Sequence, residues 1–104
     1  MTTKHDSEKL RYDLVPVKAL KAIVQVLGCG AAKYGDNNWV TVPTPRRRYY
    51  AACQRHLQDW WDGEELDKET GVTSLAHAGC CILFLIILGR YGDNVDSDLQ
   101  RPEV

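Results

Sequence analysis

The stretch that most constrains the fold is SLAHAGCCILFLIILG, residues 74–89, because nearly every one of its positions is apolar. No charged or amide side chain interrupts it after His77. A run of 16 residues is longer than most strands, and a helix that is apolar on every face must be covered on all sides. The run is also shorter than the roughly 20 residues that a helix needs to span a bilayer. We therefore predict a buried helix and no association with a membrane.

A first helix is predicted near residues 16–33. Pro16 suits a helix start, and the residues that follow are apolar at helical spacing. Gly35, just beyond the last apolar turn, is expected to end the helix in a left-handed conformation.

A central helix is predicted near residues 45–62. Thr44 is a suitable N-cap, and Pro45 fits the first helical position because its missing N–H would have no partner there. Gly63 then acts as the C-terminal stop.

These three helices define one all-α domain. A chain of 104 residues is long enough for one modest core, which we assign to residues 1–90, followed by a polar and flexible tail at 91–104. Three helices cannot cover the third one, near 74–89, on every side. We therefore expect a small helical bundle completed by homo-oligomerisation through that helix.

The composition argues against two classes of protein. With 13 basic and 14 acidic residues the net charge is −1, whereas binding to duplex nucleic acid requires a clear basic excess. The N-terminal residues are polar, so no signal peptide is expected and the protein is placed in the cytoplasm. The four cysteines form no CxxC pair and lie in apolar helical segments, which predicts buried free thiols.

Most of the unusual chemistry lies in the central helix. Its sequence PRRRYYAACQRHLQDWW contains aromatic residues, a histidine and arginines where an aliphatic stripe would be enough for stability, and this indicates a ligand. Arg48 and Arg55 are seven residues apart on one side and are predicted to contact phosphates. The alternative for Arg48 is an exposed solvated run with Arg46 and Arg47, and the alternative for Arg55 is a surface pair with Asp59. His56 is expected to meet His77 of the third helix. Each is either a core histidine whose nitrogens are hydrogen-bonded, or part of a metal site together with Asp59, Glu64 or Glu65.

The loop before the central helix is the second place where a ligand is expected. Trp39 follows Asp36 and Asn38, so an aromatic ring lies next to groups that can read a base edge or a sugar hydroxyl. The alternative is that Trp39, like most aromatic residues, belongs to the core.

Four segments in this order resemble a small, mostly phage-encoded family, the dATP/dGTP diphosphohydrolase N-terminal domain, which is related to the MazG-like all-α nucleoside triphosphate pyrophosphohydrolases. The segments are KLRYDLVP, GAAKYGDNNW, RYYAACQRHLQDWWDGEELDKETG and LAHAGCCILFL. The resemblance implies a purine deoxynucleotide as ligand and magnesium-dependent cleavage between the α- and β-phosphates. It would place the protein in the cytoplasm of a phage host.

The residues predicted for such a site fall into two groups. Asp59 and Asp62 are the expected catalytic residues and, with Glu64, the expected magnesium ligands. The expected ligand-binding residues are Tyr34, Asp36, Asn38, Trp39, Arg48, Tyr49, Arg55, His56 and Trp60.

The chain departs from the pyrophosphohydrolase pattern in one respect. Those enzymes have paired carboxylates on two facing helices, but here no carboxylate occurs between Ser74 and Leu88. A loop acid such as Glu64, Glu65 or Asp67 would have to complete a magnesium site. Two hypotheses remain open: a magnesium-dependent nucleotide hydrolase, and a non-catalytic sponge that sequesters a host nucleotide signal.

Overall fold

The computed structural model describes residues 8–88, which form three α-helices and two short 3₁₀ helices. The α-helices are α1 (Val17–Tyr34), α2 (Pro45–Trp61) and α3 (Ser74–Leu88). The 3₁₀ helices are Tyr12–Leu14 and Asn38–Thr41. Within residues 8–88 the only β pairing is one isolated bridge. The all-α prediction is therefore confirmed, whereas the predicted tail at 91–104 lies outside the described residues.

Glycines end the first two helices as expected. Gly35 has φ 99° after α1 and Gly63 has φ 101° after α2. These are backbone conformations that residues with a Cβ rarely adopt. Thr44 occupies the N-cap position of α2, as predicted, but its side chain does not cap the helix. Thr44 itself has φ 43°, its side chain makes no capping hydrogen bond, and only its carbonyl accepts the N–H of Arg48, at 3.2 Å.

Helix α3 lies between the other two helices and packs against both. Cys80 faces α1 and its neighbour Cys81 faces α2, since adjacent helical residues point about 100° apart. The buried cluster on the α1 side consists of Val26, Ala76 and Cys80. The buried cluster on the α2 side consists of Cys53, Ala78 and Cys81. Small side chains on α3 thus let it approach a helix on each side.

Three of the four cysteines are buried free thiols, as predicted, but Cys29 is exposed and that part of the prediction is wrong. Burial raises the pKa of Cys80 to about 11 and that of Cys81 to about 12. The Cys80 thiol donates to the carbonyl of Ile23 at 3.4 Å. These thiols are therefore protonated at neutral pH and act as packing groups.

A single chain leaves much of α3 uncovered. Exposed large apolar side chains on this helix are Leu75, Ile82, Leu83, Ile86 and Ile87. Such an apolar face is typical of an interaction surface, and the homo-oligomer expected from the sequence stays a prediction. None of the helices within the described residues is both long and apolar enough to cross a membrane.

Candidate functional site

A cavity of about 1280 Å³ is lined by residues of all three α-helices, of the turn after α1 and of the loop before α3. Ligand sites commonly have volumes of about 300–1,000 Å³, so this cavity has room for a small molecule and more. Part of its wall is the aliphatic surface shared by α1 and α3. The rest consists of two groups of functional side chains, one aromatic and one made of imidazole and carboxylate groups.

The aromatic group forms around Phe84 of α3. The Trp39 ring stacks on it with centroids 4.7 Å apart and an interplanar angle of 13°, and Tyr49 meets it edge-on at 4.9 Å. The Tyr49 hydroxyl also donates to the carbonyl of Trp39 at 3.3 Å. Trp39 is therefore half-buried, with one ring face taken by Phe84. The sequence prediction did not include Phe84, although it is the one aromatic residue of α3.

Six of the predicted ligand-binding residues line this cavity. They are Tyr34, Asp36, Asn38, Trp39, Tyr49 and His56. Among the described residues, the other three lie outside the cavity lining: Arg48, Arg55 and Trp60. A phosphate contact by the two arginines stays a prediction.

The imidazole and carboxylate group joins three elements. His56 of α2 and His77 of α3 have ring centroids 5.0 Å apart, which confirms that these two histidines meet. Their acidic neighbour is Asp67 of the loop, and one potential ligand atom from each of the three residues lies within 4.8 Å of the others. Sequence reasoning expected Asp59, Glu64 or Glu65 in that position.

The loop is folded so that Asp67 points at the histidines. Its Oδ2 accepts the backbone N–H groups of Glu69 at 2.9 Å and Thr70 at 3.0 Å, which is a typical Asx turn. The Thr70 hydroxyl lies 2.7 Å from Nε2 of His77, and Asp67 Oδ2 lies 3.8 Å from the same nitrogen. Local hydrogen bonds therefore hold the carboxylate in place.

The charge states of this group follow from its surroundings. Burial first, and then the nearby charge of His77, lowers the pKa of His56. Burial alone would raise the pKa of Asp67, but the backbone N–H groups of Thr70 and Glu69, together with His77, outweigh it and hold that pKa below its ordinary value. At neutral pH the group thus has a neutral His56 imidazole beside an ionised carboxylate.

The residues predicted to bind magnesium do not converge. Asp59, Asp62 and Glu64 are exposed, and Asp62 accepts a hydrogen bond from Gln58 at 3.0 Å. In the part of the chain that the structure describes, they form no group with three ligand atoms within reach of one ion. The magnesium prediction remains untested, and we assign no catalytic step to it.

The fold and this cavity define a small all-α domain whose cavity has an aromatic end and a polar end. The chain belongs to the family described as dATP/dGTP diphosphohydrolase, N-terminal, whose model matches residues 1–98. The family resemblance inferred from the sequence is thereby confirmed.

One curated relative is the dATP/dGTP diphosphohydrolase of Salmonella phage PMBT28, which is 29% identical over 85 residues. The match covers 82% of this chain but 29% of the relative, so the chain spans less than a third of that protein's length. No solved structure shows significant similarity to the chain.

Proposed function

We propose that this domain binds a purine deoxynucleotide in the cavity lined by the three α-helices, the turn after α1 and the loop before α3. The observation that supports it most is the placement of the two functional groups on α3. His77 and Phe84 are seven residues apart, which is about two helical turns or roughly 10 Å along one face. That separation is comparable to the distance from the base to the phosphates of a nucleotide. The phage relative is named a dATP/dGTP diphosphohydrolase, and this name also favours a purine deoxynucleotide.

The base would lie at the aromatic end. Trp39 is stacked on Phe84 and held by Tyr49, so its ring is already fixed in orientation before a ligand arrives. Stacking of a base on such a ring contributes about 1–3 kcal/mol. The neighbouring side chains of Asn38 and Asp36 offer an amide and a carboxylate for a base edge or a sugar hydroxyl.

The phosphates would lie toward the other end of the cavity, where Lys33 is available. Its ammonium group pairs with Glu69 at 2.7 Å, and both side chains are largely exposed. An exposed pair of this kind contributes little, typically about 0–1 kcal/mol, so phosphate oxygens can replace the carboxylate at small cost. We propose Arg55, the neighbour of His56 at that end, as an additional phosphate contact from outside the cavity wall.

We further propose that the bound nucleotide is a substrate for magnesium-dependent hydrolysis, as the family name and the relative's name suggest. A second candidate is non-catalytic sequestration. It is favoured by one observation, the failure of Asp59, Asp62 and Glu64 to converge among the described residues.

The test is calorimetric titration with the four deoxynucleoside triphosphates, in magnesium and in excess chelator, followed by chromatography of the nucleotides. We expect dATP or dGTP to bind more tightly than the pyrimidine nucleotides. Monophosphate formed only with magnesium supports the hydrolase, and intact nucleotide recovered after denaturation supports sequestration. If none of the four nucleotides binds, the proposal is contradicted.

Two tryptophan variants locate the binding site. Trp39→Ala should weaken binding by about 5- to 150-fold, the equivalent of about 1–3 kcal/mol of lost stacking. Trp61→Ala is the matched control, because Trp61 is 77% exposed and lies outside the cavity lining. Trp39→Phe keeps an aromatic ring on Phe84 and should retain most of the affinity, which separates loss of stacking from loss of folding.

A further inference from the structure

We propose that His56, Asp67 and His77 form a binding site for a divalent transition-metal ion such as Zn²⁺ or Co²⁺. Two imidazoles and one carboxylate are ligands that first-row transition metals bind well, whereas Mg²⁺ prefers a set made of oxygen atoms. This site contains none of Asp59, Asp62 and Glu64, the expected magnesium ligands, and shares with that prediction only the loop acid Asp67; its metal is also different. It does not depend on the nucleotide proposal, because the three protein ligands are sufficient to bind an ion.

The distances are close to those that a metal requires. The three ligand atoms lie within 4.8 Å of one another, and the pair formed by His77 Nε2 and Asp67 Oδ2 is already at 3.8 Å. Bonds of about 2.0–2.2 Å in a tetrahedral site place ligand atoms roughly 3.3 Å apart. The remaining approach of roughly 0.5–1.5 Å is within the range of small side-chain rotations.

The ligands come from elements whose relative positions are fixed. On α2 and α3, the two histidines lie one turn or less from the buried cluster of Cys53 and Ala78, where the Cys53 thiol meets the Ala78 carbonyl at 3.7 Å. The loop is closed onto the start of α3 because the N–H of Ser74 donates to the carbonyl of Glu65 at 2.9 Å. A site built this way loses little conformational entropy when the ion binds.

The alternative is a hydrogen-bonded core group without a metal. The Thr70 hydroxyl accepts the N–H of Val72 at 3.2 Å and lies 2.7 Å from Nε2 of His77 and 3.3 Å from Oδ2 of Asp67. The Nε2 lone pair that would accept the hydroxyl proton is the same one that a metal would use. Thr70 and the ion therefore compete for His77, and this competition distinguishes the two possibilities.

The location of the group favours the metal. All three residues line the cavity, so an ion there would have three protein ligands and open positions toward the ligand space. Three protein ligands with an open position are the arrangement of catalytic rather than structural zinc sites. A phosphate or water oxygen can complete the coordination.

The experiment titrates the chain, freed of metal by a chelator, with Co²⁺ and then adds Zn²⁺ to the Co²⁺-loaded protein. A parallel titration uses Zn²⁺ alone. A Cys29→Ser background removes the exposed thiol as a competing ligand. We expect one ion per chain, visible-region Co²⁺ absorption bands that Zn²⁺ abolishes, and no displacement by excess Mg²⁺. Absence of stoichiometric Co²⁺ and Zn²⁺ binding would overturn the proposal and leave the nucleotide proposal untouched.

Variants in the same background assign the ligands. His56→Gln, His77→Gln and Asp67→Asn should each weaken Zn²⁺ binding by at least about tenfold. Asp13→Asn is the matched carboxylate control, because Asp13 is exposed, pairs with Arg11 and lies outside the cavity lining, and it should leave the affinity unchanged. Unchanged affinity in any of the three ligand variants would overturn the assignment.

Thr70→Val tests the competition directly. The variant should be less stable, since the N–H of Val72 loses its acceptor, yet it should bind Zn²⁺ as tightly as the parent or more tightly. Loss of Zn²⁺ binding in a folded Thr70→Val protein would contradict the proposed ligand set. If a ligand variant fails to fold, nuclear magnetic resonance of the Cys29→Ser protein with both histidines intact tests the site instead. Co²⁺ should produce paramagnetic shifts of the ring protons of both His56 and His77. An unshifted ring of either histidine would refute the site.

Discussion

Gly79 lies where α3 packs tightly against α1, and replacing it tests this contact. A Cβ added at Gly79 would lie 2.8 Å from Cδ1 and 3.1 Å from Cγ1 of Ile23. Because carbon atoms pack at about 3.5–4.0 Å, Ile23 must move its flexible end or α1 must shift. Overpacking of this kind costs about 1–3 kcal/mol. The better helix propensity of alanine offsets about 1 kcal/mol, so Gly79→Ala should be destabilised by about 0–2 kcal/mol.

Gly28→Ala on α1 is the matched control, since nothing lies within 4 Å of its added Cβ. It gains the propensity term alone and should be stabilised by up to about 1 kcal/mol. The difference between the two variants, about 1–3 kcal/mol, isolates the clash with Ile23. Urea unfolding followed by circular dichroism measures both free energies of unfolding. Equal stabilisation of the two variants would refute the close approach of α1 and α3, and with it the shape of the cavity between them.

Three further predictions concern the thiols and the uncovered face of α3. In the native protein a thiol reagent should modify Cys29 rapidly and the buried cysteines only after unfolding. Mass spectrometry counts the modified thiols, and rapid modification of more than one would contradict the packing. The raised pKa values, about 11 for Cys80 and about 12 for Cys81 against an ordinary 9.0, stabilise the fold fully below about pH 9, and this contribution is lost as the pH rises toward 11–12. Urea unfolding from pH 8 to pH 10.5 should show a falling free energy of unfolding, and this fall should be smaller in Cys81→Ala. The same dependence on pH in the parent and in the variant would contradict the burial of the Cys81 thiol. Ile86 is 70% exposed in one chain, so Ile86→Glu should dissociate the proposed homo-oligomer without unfolding it, and light scattering that gives the same mass for parent and variant would contradict the interface.

The helices were predictable because their signals are local. The predicted spans differ from α1, α2 and α3 by about one residue at each end, as expected when Pro45 marks a start and Gly35 and Gly63 mark stops. Thr44 was the exception. It occupies the N-cap position, but its φ is 43° and its side chain makes no capping hydrogen bond, and the sequence gives no signal of that positive φ.

The contacts between elements were predictable only in part. The meeting of His56 with His77 followed from two helices that had to pack together. Asp67 was missed as their neighbour because its position depends on how the loop closes, through hydrogen bonds such as the one from the N–H of Asp67 to the carbonyl of Val72 at 2.8 Å. Residue spacing along the chain does not specify that closure. Phe84 was missed for a related reason, since an aromatic residue inside a continuous apolar run is usually part of the core.

The burial of single side chains was the least predictable property. Cys29 lies in an apolar helical segment, yet it is on a part of α1 that α3 does not cover. Trp39 was expected either to contact a ligand or to belong to the core, and it is half-buried on Phe84 while lining the cavity. Both outcomes depend on which helix faces are covered, and that is decided by the packing of the whole domain.

The most direct test of the central claim, purine deoxynucleotide binding in this cavity, uses the indole N–H signals of the protein's three tryptophans. Addition of dATP or dGTP to the ¹⁵N-labelled protein should shift or broaden the Trp39 indole signal, because its ring forms the aromatic end of the cavity. The Trp61 signal should stay in place, since this side chain is exposed and outside the lining. A Trp61 shift with an unchanged Trp39 signal, or no shift at millimolar nucleotide, would contradict the account.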